Sequence, residues 1–177
     1  MQYEEVKPIG WKKRDVVAAA EKLASAWGLE PGEPLDKVTL KLGGSIEFQD
    51  ALSIDASKDG SILIDDIGRF QIFVPDYVSY ERNRFTIAHE IGHYALHYVA
   101  QKLGGRLIKA ARASGPNQDR AEREADWFAS GLLMPKVKFL EECRNSSADL
   151  NSVARYFGVS TQAAKWQLEY YNAEIAR

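Results

Sequence analysis

Two histidines four residues apart enclose a glutamate in the segment 89–93, and this spacing constrains the fold more than any other feature of the chain. In an α-helix, residues four apart lie on one face, so His89 and His93 could bind the same metal ion. Glu90 follows the first histidine and could reach a metal-bound water, which is where a general base is needed. The segment therefore predicts a helix that carries a hydrolytic zinc site.

The residues around the histidines support a helix, because apolar side chains recur at helical spacing on both sides of the segment. These side chains are Phe85, Ala88, Ile91, Ala95 and Val99. Two histidines that are merely hydrogen-bonded in a core would be the simplest alternative, but that alternative leaves Glu90 unexplained. A catalytic zinc ion usually takes three protein ligands and leaves the fourth position to water, so a third ligand is expected elsewhere.

The chain contains three histidines, so the third ligand is His97, an acidic oxygen or Cys143. His97 lies two helical turns beyond His89, a distance of about 12 Å along the axis, and cannot share an ion with it. His97 could contact a metal ligand, or it could be a packed, hydrogen-bonded residue, and we favour the second role. An acidic oxygen and Cys143 therefore remain as candidates.

Acidic residues cluster in the segment 119–129, where apolar residues at helical spacing predict a second helix. Glu122 and Asp126 are four residues apart on one edge of this helix. One carboxylate could bind the metal while the other holds a ligating imidazole through its free N–H. We expect Glu122 to be the ligand.

A third carboxylate on the same helix, Glu124, points about 160–200° away from Glu122. Charged residues on the outer face of an amphipathic helix are usually solvated. We therefore expect Glu124 to be solvated or paired with Arg120 or Arg123.

The order of these segments is His-Glu-x-Gly-His, then Glu-x-x-x-Asp, then Phe-Ala-x-x-Leu-Leu-Met-Pro at residues 128–135. This order resembles the ImmA/IrrE metallopeptidases, a branch of the thermolysin-like zinc fold. The resemblance covers roughly residues 80–135, and the three segments together are much more specific than the five-residue segment alone.

The resemblance implies that His89, His93 and Glu122 hold one zinc ion per chain. It also implies that Glu90 is the catalytic base and that Asp126 accepts a hydrogen bond from the free N–H of a ligating histidine. Asp126 stands where family members often carry Asn, and a carboxylate there would make the histidine more basic. Two imidazoles and a carboxylate also suit manganese or iron, so the metal remains open at this point.

Short segments of β type lie between a predicted helix at 15–27 and the metal helix. They are residues 38–42, 46–48, 61–64 and 70–74. Turns at 58–60 and 65–68 flank the third segment. With the resemblance, these segments predict an α+β fold, namely a mainly helical zincin-like domain with a small antiparallel sheet before the metal-binding helix.

The stretch 102–116 is rich in glycine and basic residues and contains no acidic residue. Its glycines and proline predict a mobile loop near the active site. The loop would be either a lid or partner-binding surface, or an exposed connector.

The segment 149–168 resembles a helix-turn-helix, with Gly158 in the turn and Ser160 capping the second helix. A helix that reads DNA would carry several basic residues, but Lys165 alone falls on the second helix. The segment is therefore weak evidence for direct DNA binding, and we favour packing or protein recognition.

A chain of 177 residues with 45% hydrophobic residues suits one well-buried core. We expect a metallopeptidase core at 1–135 and a helix-turn-helix-like extension at 136–177 packed on it. The formal net charge of −2 provides no general attraction to nucleic acid. Cys143 has no cysteine partner and the first residues are charged, so we expect a cytoplasmic protein without a membrane segment.

Two classes of function follow. The first is a zinc endopeptidase that makes one specific cut in a protein partner, which the resemblance implies is a helix-turn-helix transcriptional repressor whose cleavage releases repressed genes. The alternative is a non-proteolytic regulatory module in which zinc is structural and the protein binds a repressor or DNA. A toxin of a toxin–antitoxin pair would share the peptidase chemistry but have another target.

Overall fold

Helices make up most of the computed structural model, which describes residues 3–50, 60–108, 110–113, 119–147 and 149–176. The α-helices are α1 (Lys13–Trp27), α2 (Asp36–Lys41), α3 (Tyr80–Gly92), α4 (Gln101–Leu103), α5 (Asp119–Leu133), α6 (Lys136–Asn145), α7 (Leu150–Phe157) and α8 (Thr161–Ile175). A π-helix, π1 (His93–Ala100), joins α3 to α4. The strands are β1 (Glu4–Glu5), β2 (Gly44–Gln49), β3 (Ser61–Asp66), β4 (Arg69–Pro75) and β5 (Ala111–Ala113). These elements confirm the predicted α+β class.

The described strands form one sheet in the order β1-β5-β3-β4-β2. β3 pairs antiparallel with both β4 and β5, whereas the outer pairs β1–β5 and β2–β4 are parallel. The sheet is therefore mixed, and the prediction of an antiparallel sheet placed wholly before the metal helix was wrong. The reason is topological, because β2 joins the far side of β4 instead of pairing with β3, and β5 enters the sheet after the metal helix.

Three of the four predicted β segments are confirmed, since 46–48, 61–64 and 70–74 lie within β2, β3 and β4. The β3–β4 turn is also confirmed, with Gly68 at a φ of 75°. Of the other predicted turn, residues 58 and 59 lie outside the described residues. The stretch 102–116 is not simply a loop, because its buried alanines form β5 between β1 and β3.

The segment 38–42 was predicted as a strand but forms most of α2. Leu35, Val38 and Thr39 are buried, and their three- and four-residue spacing is helical, not alternating. Leu40, which an alternating pattern would bury with Val38, is 68% exposed. The apolar residues of 38–42 fit both periods, so local pattern alone could not decide between them.

The predicted helix at 15–27 is confirmed as α1, which ends at Gly28 in the left-handed conformation. Helix α5 packs against both α1 and α3. A β-carbon at Gly131 of α5 would lie 2.9 Å from the carbonyl oxygen of Val17, so glycine permits a very close approach of α5 to α1. This contact places α5 between the first helix and the metal helix. No helix among the described residues is long and apolar enough to cross a membrane.

The predicted helix-turn-helix-like shape is confirmed by α7 and α8. Gly158 ends α7 at a φ of 58°, and the Ser160 hydroxyl accepts a hydrogen bond from the Ala163 N–H. The rings of Phe139 and Phe157 lie 5.5 Å apart. Both belong to a buried apolar cluster that contains residues of 1–135 as well as residues of 136–177. The division at residue 135 stays a prediction.

Arg84 joins the metal helix to the C-terminal helices from a buried position. Its Nε donates to the Glu33 carbonyl at 2.9 Å, and its Nη1 donates to the carbonyls of Phe157 and Gly158. These three carbonyls lie in two distant parts of the chain, so a single side chain satisfies backbone acceptors that no helix or strand pairs.

We expect Arg84→Met to lower the free energy of unfolding by about 2–3 kcal/mol, because it leaves buried carbonyl oxygens without a donor. Denaturant titration would measure this change. Arg155→Met, one turn before Gly158 but exposed, is the matched control and should change stability by less than about 0.5 kcal/mol. Equal effects of the two substitutions would contradict the role of Arg84.

Candidate metal centre

Helices α3 and α5, with the start of π1, bring together one atom each of His89, His93 and Glu122. These atoms all lie within 4.8 Å of one another. His89 Nε2 is 3.0 Å from Glu122 Oε2 and 3.0 Å from His93 Nε2, and His93 Nε2 is 3.5 Å from Glu122 Oε1. Donors about 2.0–2.1 Å from a tetrahedral zinc ion are separated by about 3.3 Å, so the spacing suits such an ion.

The site depends on a close approach of α3 and α5 at Gly92. A β-carbon at Gly92 would lie 3.2 Å from the Ala125 Cα and 3.2 Å from the Phe128 Cβ, which is tighter than most packed contacts. Because Gly92 directly precedes His93, this contact sets how near the histidines come to Glu122.

We expect Gly92→Val to lower the free energy of unfolding by about 2–3 kcal/mol, because its side chain would overpack the contact between α3 and α5. The separated helices should also bind zinc more weakly. Thermal unfolding and zinc titration would measure the two effects. Gly92→Ala, which adds one methyl group that small shifts can absorb, should cost less than Gly92→Val, and a Gly92→Val protein as stable as wild type would refute the packing argument.

Asp126 supports His89 from the side opposite to the other donors. The Nδ1 of His89 lies 2.9 Å from Asp126 Oδ1, while its Nε2 faces Glu122 and His93. The Asp126 side chain is 55% exposed, so this bond lies at the open side of the centre. The expected pairing of Asp126 with an imidazole is thus present in the geometry.

Glu90 is buried at 3% exposure, and its Oε2 has no hydrogen-bond partner among the described residues. Burial raises the pKa of Glu90 to about 8, with His89 opposing the rise and Glu122 adding to it. Gly60, at a φ of 93°, approaches closely, since a β-carbon there would lie 3.3 Å from Glu90 Oε1. A buried carboxylate with a free oxygen can accept a proton from a reactant.

The charges around the centre are unequally distributed. Burial lowers the pKa of His93 to about 4, with a hydrogen bond to Glu122 opposing the shift. Burial also lowers the pKa of His89, but bonds to Asp126 and Glu122 outweigh it and raise the pKa to about 10. Burial raises the pKa of Glu122, but the bonds to both histidines hold it well below its usual range.

The raised pKa of His89 favours its positively charged form, and the lowered pKa of His93 favours a neutral ring beside it. Two imidazole lone pairs 3.0 Å apart repel each other unless a proton or a cation lies between them. Because a divalent cation can serve the same purpose, the donors present fit a metal ion.

His97 and Glu124 extend the cluster away from the metal position. His97 is buried, as expected, but it also contacts a candidate ligand, since its Nδ1 lies 2.9 Å from His93 Nδ1. Its Nε2 lies 3.1 Å from Glu124 Oε2. The contact to His93 was not the expected role of His97.

The expectation that Glu124 is solvated was wrong, because its exposure is 0%. Its pairing with Arg120 is confirmed at 2.8 Å, and the backbone N–H groups of Ile9 and Gly10 donate to it at 2.8 and 2.9 Å. Burial raises the pKa of Glu124, but bonds from His97 and Arg120 outweigh it and lower the pKa to about 2. The sequence around Glu124 could not predict its burial, because the backbone donors come from a segment more than 100 residues away.

A His-Glu-x-x-His helix that meets a glutamate from a second helix is typical of metallopeptidase-like domains. The chain belongs to the peptidase family whose model is described as IrrE N-terminal-like domain and matches residues 53–169. This match confirms the resemblance stated from the motifs. Zinc dependence is general in this family.

A solved structure described as a Mycobacterium tuberculosis transcriptional regulator has a similar fold, with a TM-score of 0.58 and 18% sequence identity. The alignment covers 85% of this chain and 45% of that chain. This chain therefore spans less than half the length of the regulator, and the likeness concerns the fold alone. No curated protein matches the sequence.

Proposed function

We propose that this protein is a zinc-dependent endopeptidase that makes a specific cut in a protein partner. The observation that carries the proposal is a free, buried carboxylate oxygen of Glu90 beside three converging metal donors. A structural zinc ion is usually held by four protein ligands, and such a site has no use for a free base. We further propose that the partner is a helix-turn-helix transcriptional repressor and that its cleavage releases repressed genes.

In this proposal, His89, His93 and Glu122 hold one zinc ion per chain. Their donor atoms suit a tetrahedral ion with one position left for water, although manganese or iron would accept the same donors. The bound ion would supply a more acidic water and polarise the substrate carbonyl.

Glu90 acts as the base and then as the acid. Its Oε2 takes a proton from the attacking water and passes it to the leaving amine, so the carboxylate ends as it began. A nearby positive charge favours the ionised form of Glu90 and so opposes the effect of its burial. Asp126 accepts from the His89 Nδ1–H and keeps the Nε2 lone pair directed at the metal position.

A protein partner is favoured over DNA by the charges of the C-terminal helices. The exposed face of α8 carries Lys165 but also Glu169, and the whole chain has a formal net charge of −2. A DNA-reading surface would need a cluster of positive charge. We propose that this chain, like the protein of similar fold described as a transcriptional regulator, acts in gene control, and we place that role in the cytoplasm.

The proposal is tested by mapping new protein N-termini in host cells that produce either the wild-type protein or Glu122→Ala. We expect one new N-terminus, in a helix-turn-helix DNA-binding protein, that appears only with the wild type. A cut in a protein that does not bind DNA would retain the peptidase but overturn the repressor as target. Several cuts with growth arrest would instead favour a toxin.

The non-proteolytic alternative has its own signature. It is favoured if zinc-loaded wild-type protein produces no new N-terminus and binds a DNA or repressor partner that it leaves intact. Binding that persists after the metal is removed would strengthen that alternative, because a peptidase site would then be irrelevant to the function.

A further inference from the structure

An unbroken line of hydrogen bonds runs from a buried carboxylate to one of the proposed metal ligands. Glu124 Oε2 lies 3.1 Å from His97 Nε2, and His97 Nδ1 lies 2.9 Å from His93 Nδ1. All three side chains are buried. The remaining ring nitrogen of His93, Nε2, faces His89 and Glu122.

The carboxylate of Glu124 determines which atom donates in each hydrogen bond of this line. Ile9 N–H, Gly10 N–H and Arg120 Nε all donate to Glu124, which is an acceptor surrounded by donors. His97 must therefore donate to it from Nε2, because two acceptors cannot form a hydrogen bond.

The same reasoning continues to the ligand. With its Nε2 proton directed at Glu124, His97 offers a lone pair on Nδ1, which can accept a hydrogen bond from an Nδ1–H of His93. The lone pair of His93 then lies on Nε2, which is the atom that faces the metal position. If His97 were reversed, it would donate to His93, whose proton would move to Nε2 and block metal binding.

We infer that Glu124 and His97 are positioning residues that fix the tautomer and ring orientation of His93 for metal binding. This inference rests on the proposed function, in which His93 is a ligand. Each ligating histidine then has its own carboxylate, since Asp126 orients His89 directly and Glu124 orients His93 through His97. The two carboxylates differ in that Glu124 is sealed from solvent, so its bond lacks competition from water.

The N-terminal segment holds Glu124 in place. Besides the two backbone N–H groups at Ile9 and Gly10, Arg120 binds both Glu124 and the Trp11 carbonyl, and Gln101 Nε2 donates to the Lys7 carbonyl at 2.6 Å. Residues 7–11 are thereby hydrogen-bonded to α5 and to α4, which follows π1.

Zinc affinity, measured by competition with a chelator, tests the inference with three variants. Glu124→Gln presents an amide N–H₂ among donors and can reverse His97, so we expect zinc to bind about 100-fold more weakly. His97→Phe keeps the ring volume but removes the acceptor for His93, and we expect a loss of about 10-fold. Arg123→Gln, the matched control, changes the preceding residue of α5, whose side chain is exposed, and leaves the bonds of Glu124 and His97 intact, so its affinity should stay within about 3-fold of wild type.

A second measurement reads the protons directly and does not require metal. Long-range proton–nitrogen correlation spectra of the metal-free protein distinguish the two tautomers of each imidazole, and single substitutions assign the three histidines. We expect the proton of His97 on Nε2 and that of His93 on Nδ1.

The inference is overturned if His97 carries its proton on Nδ1, or if Glu124→Gln and His97→Phe bind zinc as tightly as wild type. It is also overturned if Arg123→Gln loses as much affinity as Glu124→Gln, because the loss would then not depend on the carboxylate of Glu124. If Glu124→Gln does not fold, His97→Phe and the wild-type spectra still decide. A wild-type protein that binds no zinc would instead refute the proposed metal centre, whatever the tautomers.

Discussion

Glu90→Gln is expected to lower the rate of partner cleavage by about 10³–10⁴-fold while the bound zinc remains. Gln has nearly the same shape as Glu, but its amide cannot take the proton that Oε2 would accept. General acid–base catalysis contributes about 10²–10⁴-fold, and here one residue would serve in both directions, which places the loss near the upper end. The measurement is kcat/KM for the zinc-loaded protein with the partner identified by N-terminal mapping.

The fold should tolerate this change, because burial already disfavours the ionised form of Glu90 and Gln removes that charge. Elemental analysis should therefore still find the metal, and unfolding should be as cooperative as in wild type. Glu81→Gln, in the first turn of the same helix, is the matched control and should cleave at the normal rate. A Glu90→Gln protein that cleaves its partner at the wild-type rate would exclude Glu90 as the base.

Glu122→Ala is expected to weaken zinc binding by about 10²–10³-fold. Four-ligand zinc sites bind with about 10–16 kcal/mol, which is about 2.5–4 kcal/mol for each ligand, and Glu122 is one of only three proposed protein ligands. Its removal also leaves the two histidines without the carboxylate that both approach. Chelator competition and elemental analysis after dialysis would measure the loss.

Arg123→Ala is the control for Glu122→Ala, because Arg123 is the next residue of α5 and its side chain is exposed. Glu124 would be a poor control, since its buried carboxylate contacts His97. A Glu122→Ala protein that keeps one tightly bound zinc per chain would remove Glu122 from the ligand set. Comparing Glu122→Ala with Glu90→Gln then separates loss of metal from loss of the base.

The candidate metal donors were predictable because their signals are local. A spacing of four residues places His89 and His93 on one face of a helix, and the same spacing relates Glu122 to Asp126. The structure brings all four side chains together. Their roles as ligands and support remain predictions until the metal is measured.

The errors share one cause, which is that short patterns do not carry information about distant partners. Residues 38–42 fit both helical and alternating periods, and burial of Leu35 with Val38 and Thr39 decided for a helix. The alanines of β5 looked like part of a loop because nothing nearby indicates that β1 and β3 lie on either side. Strand order and direction depend on the whole chain, so the mixed sheet could not be predicted from neighbouring strands.

By itself, the sequence determined the α+β class, the metal helix, the acidic helix and the helix-turn-helix-like segment, because helical periodicity and capping act over a few residues. Only the tertiary structure decided that Glu124 is buried, that His97 contacts His93, and that the start of the chain anchors them. The physical reason is that the anchoring donors at Ile9 and Gly10 are backbone N–H groups, which every residue except proline carries. A sequence therefore does not indicate which of these groups will bind a distant acceptor, because the fold alone brings the two together.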